Sequence, residues 1–211
     1  MFQISFRKRG TKSMAVDFKN SLTKQNLMRA FAGESQARNR YTIAANTAKI
    51  QNLPALEAVF LFTAEQEREH AEQFYRLLSE FNGENITIDG SYPINISNSI
   101  SELLRAAQHN EIEEAQDVYI NFAQKAREEG FQKIAAQFQM TAAVEQTHAD
   151  RFRLFAEMIE QNTLYHPATE VAYMCLKCGH IYYGTSVPEN CPLCKAEQGY
   201  FIRLDLAPFA K

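Results

Sequence analysis

The chain has 211 residues, of which 45% are hydrophobic and 22% are charged, and its formal net charge is −3. That charge gives no electrostatic basis for binding nucleic acid, and without a run of about 18 apolar residues no membrane-spanning helix is predicted. All four cysteines lie between positions 175 and 194, a clustering typical of one metal site rather than a disulfide framework. Because no cysteine is left for a disulfide, we expect a protein of the reducing cytoplasm.

The first 14 residues, MFQISFRKRGTKSM, carry four basic side chains and no acidic one. Such a segment is typical of an organelle targeting sequence, and it would equally result from a translation start placed upstream of Met14. We therefore expect residues 1–18 to form a disordered extension outside the fold.

Two helical patterns open the next segment, residues 19–161. The first runs from about Leu22 to Gln51 and places Glu34 on an otherwise apolar face. The second begins near Pro54, because proline suits the first turn of a helix. Its apolar stripe carries Glu67 and His70, which are three residues apart and therefore share a face.

A long connection and two further helices complete this segment. Residues 83–98 contain glycine, proline and asparagine without helical periodicity, so we expect them to cross the bundle. Ser99 with Glu102 three residues later resembles a capping box that opens the third helix. Gly130 ends that helix, since glycine tolerates the left-handed conformation found at helix ends. The fourth helix extends to about Gln161.

The two halves of the predicted bundle repeat the same acidic pattern. Glu34 precedes Glu67 by 33 residues, Glu111 precedes Glu145 by 34, and each later glutamate begins a Glu-x-x-His sequence. Two short-looped helix pairs joined by one long crossover are the ferritin-like form of the four-helix bundle. The sequence therefore predicts a mainly α, ferritin-like domain with an internal repeat.

Each predicted helix places acidic residues in its apolar stripe. Burying one unpaired charge costs several kcal/mol, so five glutamates in a bundle core require cations to neutralise them. One glutamate from each of two helices, plus a Glu-x-x-His from each of the other two, is the di-iron carboxylate pattern. The candidate ligands in these stripes are Glu34, Glu67 with His70, Glu111 with Glu114, and Glu145 with His148, because residues three apart on a helix can reach one centre.

A structural interpretation of these residues is the alternative. A lone Glu-x-x-His usually faces solvent, and a lone histidine on an apolar face is usually a satisfied core residue. Here both pairs fall on the apolar stripe with partner glutamates upstream, which favours a dinuclear metal site. One imidazole per ion with carboxylates suits iron or manganese, between which the pattern does not choose.

The segment after residue 161 changes character. Residues 162–170 are expected to form a linker, and residues 171–211 are rich in cysteine, glycine, proline and β-prone side chains. About 40 residues bury too little apolar surface to fold alone, so a small β-rich domain stapled by a metal is predicted. Its four ligands form two CxxC knuckles whose thiolates suit zinc or iron: Cys175, Cys178, Cys191 and Cys194. A structural zinc ribbon and a one-iron redox centre both fit.

These motifs together resemble the rubrerythrin family. The segments FAGESQARNRY and AREEG, the two Glu-x-x-His pairs and CLKCG…CPLC carry the resemblance, which runs from about Lys19 to the C-terminus. It implies a ferritin-like di-iron domain followed by a rubredoxin-like domain. It also implies a non-haem peroxidase that reduces hydrogen peroxide to water in oxidative-stress defence.

The resemblance further implies the cofactors, partners and site residues. Two irons would occupy the carboxylate site, and one iron in the four-cysteine site, or zinc, would complete the metals. Electrons would come from NAD(P)H through a separate reductase or rubredoxin, and family members are typically homodimers. On reduction one iron exchanges Glu114 for His70, and Tyr41 and Tyr119 match two tyrosines near the di-iron site. These four are the predicted catalytic residues, although plain core filling by the tyrosines is the alternative.

One departure from the family pattern and two rival functions also follow from the sequence. Lys195 follows Cys194 where glycine or alanine is frequent, and a special backbone angle there would disfavour lysine. The first rival is a ferroxidase or iron-storage protein, which requires a large hollow shell. The second is a bundle whose zinc ribbon mediates interactions without carrying electrons.

Overall fold

A computed structural model describes residues 16–208, so the predicted extension lies outside the described residues up to position 15. Most of the described chain is helical, and the predicted helices are present. Their bounds are α1 Leu22–Ile50, α2 Pro54–Arg76, α3 Ile100–Glu113, a π-helical segment Glu114–Val118, α4 Tyr119–Glu128 and α5 Gln132–Glu160. None of the helices within residues 16–208 is long and apolar enough to cross a membrane.

The helix ends follow from local chemistry. The Ser21 hydroxyl accepts a hydrogen bond from the Lys24 N–H at 3.0 Å and so caps α1. The Ser99 hydroxyl accepts from the Glu102 N–H at 3.3 Å, which is the predicted half of the capping box on α3. The Glu102 carboxylate does not complete that box. It accepts instead from the hydroxyl of Ser97 at 2.6 Å.

The π-helical segment is the feature of the bundle that periodicity did not predict. A single regular helix was expected up to Gly130, but the helix widens over Glu114–Val118. Tyr41 follows Glu34 by seven residues in the first half of the repeat, and Tyr119 follows Glu111 by eight in the second. A π turn absorbs one extra residue within a helix. It therefore explains why the second half of the repeat is one residue longer than the first.

Two apolar clusters fill the bundle, one towards each end. The first packs Phe60 and Phe152 with the ring of Tyr41, and the second packs Phe74 and Phe138 with Tyr119. Along each long helix, the residues on one side of the acidic position belong to the first cluster and those on the other side belong to the second. The buried polar centre is therefore enclosed by apolar packing on both sides.

The crossover, residues 82–98, runs over the bundle without regular secondary structure. Arg29 of α1 holds it by donating to the carbonyl of Asp89 at 3.1 Å and to its carboxylate at 2.6 Å. The Tyr92 hydroxyl donates to the carbonyl of Arg29 at 3.2 Å, and Asn110 of α3 donates to Asn95 at 2.9 Å. A few polar contacts therefore fix its position.

The C-terminal region, which was predicted to be β-rich, forms an antiparallel sheet of three short strands. The strands are β1 Val171–Cys175, β2 Ile181–Gly184 and β3 Phe201–Arg203, in the order β2-β1-β3. A side chain at Gly199 would place its Cβ 2.0 Å from the Asn52 carbonyl, so this glycine allows the sheet region to meet the bundle. Ile202 joins the apolar cluster that contains Phe60. The predicted fold class is confirmed.

Candidate metal centres

Six buried or nearly buried side chains in the bundle form two overlapping groups of candidate ligands. In each group, one nitrogen or oxygen from every residue lies within 4.8 Å of the others. The two groups share Glu67 and Glu145, which come from α2 and α5. The first group is Glu34, Glu67, His70 and Glu145, and the second is Glu67, Glu111, Glu145 and His148. Two shared carboxylates between two terminal Glu–His pairs are the arrangement of a dinuclear site.

The two histidines occupy equivalent positions in their groups. His70 Nδ1 lies 3.1 Å from Glu67 Oε2 and 2.9 Å from Glu145 Oε1. His148 Nδ1 lies 2.9 Å from Glu67 Oε1 and 2.8 Å from Glu145 Oε2. Each imidazole thus faces one oxygen of each shared carboxylate. The repeat seen in the sequence becomes an approximate two-fold arrangement at the site.

Many of these ligand atoms have no hydrogen-bond partner within the described chain. They are Glu34 Oε2, Glu67 Oε1, Glu111 Oε2, both carboxylate oxygens of Glu145 and both ring nitrogens of His148. Buried polar atoms are nearly always partnered in proteins, so a cluster of orphaned ones requires an explanation. Carboxylates and one imidazole per group are suitable ligands for iron, and metal ions at the group centres would satisfy these atoms. The residues present therefore fit a di-iron site.

The pKa values of the ligand side chains, in the absence of metal, also indicate a site for cations. Burial, followed by repulsion from neighbouring carboxylates, raises the pKa of Glu34 and of Glu111 well above the ordinary value. Burial would lower the pKa of His148, but the carboxylates of Glu111, Glu145 and Glu67 raise it to about 12. Without metal, protons on Glu34, Glu111 and His148 must therefore offset part of the buried negative charge. Bound cations would replace those protons, as is general for carboxylate and imidazole ligands.

Two buried tyrosines cross between the halves of the site. Tyr41 donates its hydroxyl proton to Glu111 Oε1, and Tyr119 donates to Glu34 Oε1. Each tyrosine thus bonds the terminal carboxylate of the other half rather than the glutamate on its own helix. Burial and then the partner carboxylate raise the pKa of both phenols well above the ordinary value, so both keep their protons.

Glu114 stands apart from the other predicted ligands. It belongs to neither four-residue group, whereas His70 belongs to the first. Its side chain lines a cavity beside the bundle, together with Tyr119. Burial and then repulsion by Glu145 and Glu67 raise its pKa to about 8.

The four cysteines form the second candidate centre. The Sγ atoms of Cys175 and Cys194 are 3.8 Å apart, and those of Cys178 and Cys191 are 3.7 Å apart. A tetrahedron with metal–sulfur bonds of about 2.3 Å has sulfur–sulfur edges of about 3.8 Å, so the thiols are spaced for one ion. All four are unpaired cysteines rather than disulfides.

Each CxxC knuckle closes with a residue in the left-handed region. Gly179 follows the first knuckle with φ 77°, and Lys195 follows the second with φ 63°. The Gly179 N–H donates to the Cys175 carbonyl at 2.8 Å, and the Lys195 N–H donates to the Cys191 carbonyl at 2.9 Å. The special backbone angle predicted for Lys195 is therefore present. It places a lysine where glycine would be unstrained.

Comparison with known families matches most of the chain. A family model described as rubrerythrin matches residues 25–156 and, in an overlapping segment, 102–175. A second model, described as the rubredoxin-like domain of rubrerythrin, matches residues 173–202. The chain belongs to the rubrerythrin family. The predicted cofactors, a di-iron carboxylate site and a rubredoxin-like centre with four cysteine ligands, are confirmed by this membership.

Individual rubrerythrins are similar to the chain over nearly their whole length. Rubrerythrin-1 of Clostridium acetobutylicum is 43% identical over 185 residues, which are 87% of this chain and 94% of the relative. The rubrerythrin of Porphyromonas gingivalis is 41% identical over 188 residues, which are 89% of this chain and 92% of the relative.

Solved structures agree with the bundle architecture. A structure of nigerythrin in a mixed-valent state aligns with a TM-score of 0.58 and 30% identity, covering 95% of this chain and 97% of that chain. Bacterioferritin BfrA of Mycobacterium tuberculosis aligns with a TM-score of 0.60 over 71% of this chain and 91% of that chain. Its identity is 19%, so this second likeness shows the ferritin-like fold alone.

The structure brings the predicted rubrerythrin ligands together, apart from Glu114, which lines the adjoining cavity. The individual roles of these residues stay predictions. Sequence reasoning missed Gln36 and Arg40, which lie close to the site. The Arg40 guanidinium donates through Nε to the Gln36 amide oxygen at 2.6 Å and lies 5.5 Å from the centre of the Tyr41 ring. Both residues fall inside FAGESQARNRY, which is the signal that could have found them.

Proposed function

We propose that this rubrerythrin is a non-haem peroxidase that reduces hydrogen peroxide to water. The reaction consumes one H₂O₂, two electrons and two protons, breaks the O–O bond and yields two molecules of water. The observation that carries the proposal is the pair of ligand groups that share Glu67 and Glu145. Such a site holds two metal ions side by side, which matches a substrate with two adjacent oxygen atoms.

The ligand residues have distinct tasks in this proposal. Glu67 and Glu145 belong to both ligand groups and would help to hold both ions, whereas Glu34 and His70 would hold only one and Glu111 and His148 only the other. When bound, the two irons supply two electrons and the Lewis acidity that stabilises developing hydroxide. The surrounding apolar clusters exclude bulk water and so strengthen the electrostatic interactions inside the site. The exchange of Glu114 for His70 on reduction is part of the proposal, and the separate position of Glu114 supports it.

Proton supply falls to the two buried phenols. Tyr41 and Tyr119 each hold a proton against a ligand carboxylate. A proton given up at the tyrosine oxygen can be replaced only through groups that reach solvent. Tyr119 and Glu114 both line the cavity beside the site, so this side supplies replacement protons. The tyrosines thus act as proton donors at fixed positions.

The four-cysteine domain supplies electrons one at a time. Its donor would be an NAD(P)H-linked reductase or a rubredoxin, and two transfers are needed for each peroxide. We further propose a homodimer that works in the cytoplasm in defence against oxidative stress. The unpaired cysteines support that location because a reducing compartment keeps thiols free to bind metal.

Anaerobic stopped-flow spectroscopy tests the activity. Iron-loaded, fully reduced protein is mixed separately with H₂O₂ and with O₂, and both chromophores are followed. We expect peroxide to reoxidise the protein much faster than O₂. The variant Cys178→Ser should retain a single reoxidation of the bundle iron but lose repeated turnover with an external donor. Equal or faster reaction with O₂, together with a large shell in size-exclusion chromatography, would support the ferroxidase alternative instead.

A further inference from the structure

Five of the predicted ligands of the di-iron site are almost completely buried, so solvent does not reach the site directly at these positions. Glu34, Glu145 and His148 have exposures of 0%, and Glu67 and Glu111 have exposures of 1%. A substrate must therefore approach along a defined route. His70, whose side chain is 15% exposed, and Glu114 are the two ligand positions that reach the outside.

A cavity of about 320 Å³ lies on the Glu114 side, between α1, the π-helical segment and the crossover. Its inner wall includes Glu114 and Tyr119, and the Tyr119 hydroxyl bonds the terminal ligand Glu34. A larger cavity of about 710 Å³ lies near α2, α5 and the C-terminal region, but its lining contains none of the predicted ligands. At about 30 Å³ per water molecule, the smaller cavity has room for about ten waters or for H₂O₂ with several waters.

The polar lining suits a molecule that both donates and accepts hydrogen bonds. The amide nitrogen of Gln36 is buried and has no hydrogen-bond partner within residues 16–208. Its amide oxygen is occupied by Arg40, which leaves the N–H groups as free donors. Glu114 offers carboxylate oxygens that accept no hydrogen bond from another described side chain. Hydrogen peroxide can therefore accept a hydrogen bond from Gln36 and donate one to Glu114.

The outer wall is formed by the crossover, and Tyr92 is its principal side chain. The ring lies between two glycines. A Cβ at Gly90 would come within 2.9 Å of the ring, and a Cβ at Gly33 would lie 3.7 Å from it. The hydroxyl of Tyr92 is tied to Arg29, and the side chain is 39% exposed. The ring thus covers α1 at Gly33, directly before the predicted ligand Glu34, and it narrows the opening to the cavity.

We propose that this cavity is the route by which hydrogen peroxide reaches the di-iron site, and that Tyr92 limits the size of the peroxide that passes. The inference rests on the proposed peroxidase function. A small peroxide fits past the ring, whereas a branched alkyl hydroperoxide requires the ring to move. Segments held by few polar contacts and exposed to solvent open at low free-energy cost, so the crossover can move. The hydrogen bond from Tyr92 to Arg29 restrains that movement and keeps the ring over the opening.

The first test measures selectivity. Reduced, iron-loaded protein is mixed with H₂O₂ or with tert-butyl hydroperoxide, and the two reoxidation rate constants are compared. For Tyr92→Ala we expect the ratio of the H₂O₂ rate to the tert-butyl hydroperoxide rate to fall about tenfold, equivalent to about 1.4 kcal/mol in relative barrier. The control Tyr75→Ala removes another exposed tyrosine of the bundle, whose ring packs on Phe31. It should leave the ratio unchanged, and equal ratios in the two variants would overturn the proposal.

The second test does not depend on turnover. Ser91→Trp places a large ring at the exposed rim of the cavity. We expect it to slow the release of ferrous iron to the chelator ferrozine about tenfold, because the released ion must leave by the same route. Helical circular dichroism and the visible spectrum of the four-cysteine centre establish that the variant is folded. Release at the wild-type rate would exclude this route. If wild-type protein does not react with peroxide, the proposed function fails, while the iron-release comparison still decides the route.

Discussion

Deleting Gln116 should leave the bundle intact, because the π-helical segment already contains one residue more than a regular helix. Removing it converts Glu114–Val118 into ordinary helix and restores the seven-residue spacing that the first half of the repeat shows between Glu34 and Tyr41. The parts of the helix on either side keep their orientation. Tyr119 should therefore still reach Glu34 across the site.

The expected magnitude comes from comparison with a deletion in regular helix. Gln116 is exposed and its side chain contacts Gln146, so its loss should change the free energy of unfolding by less than about 1 kcal/mol. Deleting Gln124 from α4 instead turns every later residue of that helix by about 100° and shifts it by about 1.5 Å. Ala126 then leaves its fully buried position, and Glu129 loses its bonds to the start of α1.

The cost of the Gln124 deletion follows from those contacts. Hydrogen bonds to a charged group contribute about 1.5–3 kcal/mol each, so the loss should be at least about 3 kcal/mol. At about 2–4 °C per kcal/mol, this lowers the melting temperature by about 6–12 °C. Thermal unfolding by circular dichroism and the iron content per chain give the comparison. If both deletions destabilise equally, or if the Gln116 deletion abolishes iron binding, the π turn does not act as an inserted residue.

Three further predictions concern single residues. His148→Ala should lose bundle iron and peroxidase activity while the four-cysteine site stays filled, as metal analysis and the visible spectrum would show. Glu129→Gln should lower the melting temperature at pH 7, and should lower it less as the pH falls: burial raises the pKa of Glu129, yet hydrogen bonds from Thr23 and Leu22 lower it overall, so the stabilisation is lost as pH falls through the folded-state pKa. Lys195→Gly should stabilise the four-cysteine domain by about 1 kcal/mol by relieving a positive φ, seen as slower metal release in denaturant; faster release would contradict this.

Local sequence rules were sufficient for the helices and for most of the site. Residues three apart on a helix share a face, so both Glu-x-x-His pairs could be assigned to one centre from the sequence alone. Pro54 begins α2 and the hydroxyl of Ser99 caps α3 as predicted. The stabilising effects involved act within one turn of helix, which is why a single sequence reveals them.

Features that depend on contact between distant segments were not predictable in the same way. The π turn leaves a trace in the sequence as the extra residue between Glu111 and Tyr119, but helical periodicity alone does not locate it within the helix. The bond from Tyr41 to Glu111 joins residues 70 positions apart, so helix periodicity could not choose it over Glu34 on the same helix. The position of Glu114 outside both ligand groups, and the contact between Tyr92 and Arg29, likewise arise from tertiary packing.

The two shared glutamates make the filling of one ion position depend on the other. An ion in the first position orders Glu67 and Glu145, so the second ion meets carboxylates that are already aligned. If either ion is lost, Glu67 and Glu145 keep only one of the two cations that neutralise them. Iron uptake is therefore expected to be cooperative: at substoichiometric iron, native mass spectrometry should find empty and doubly loaded bundles in excess over singly loaded ones.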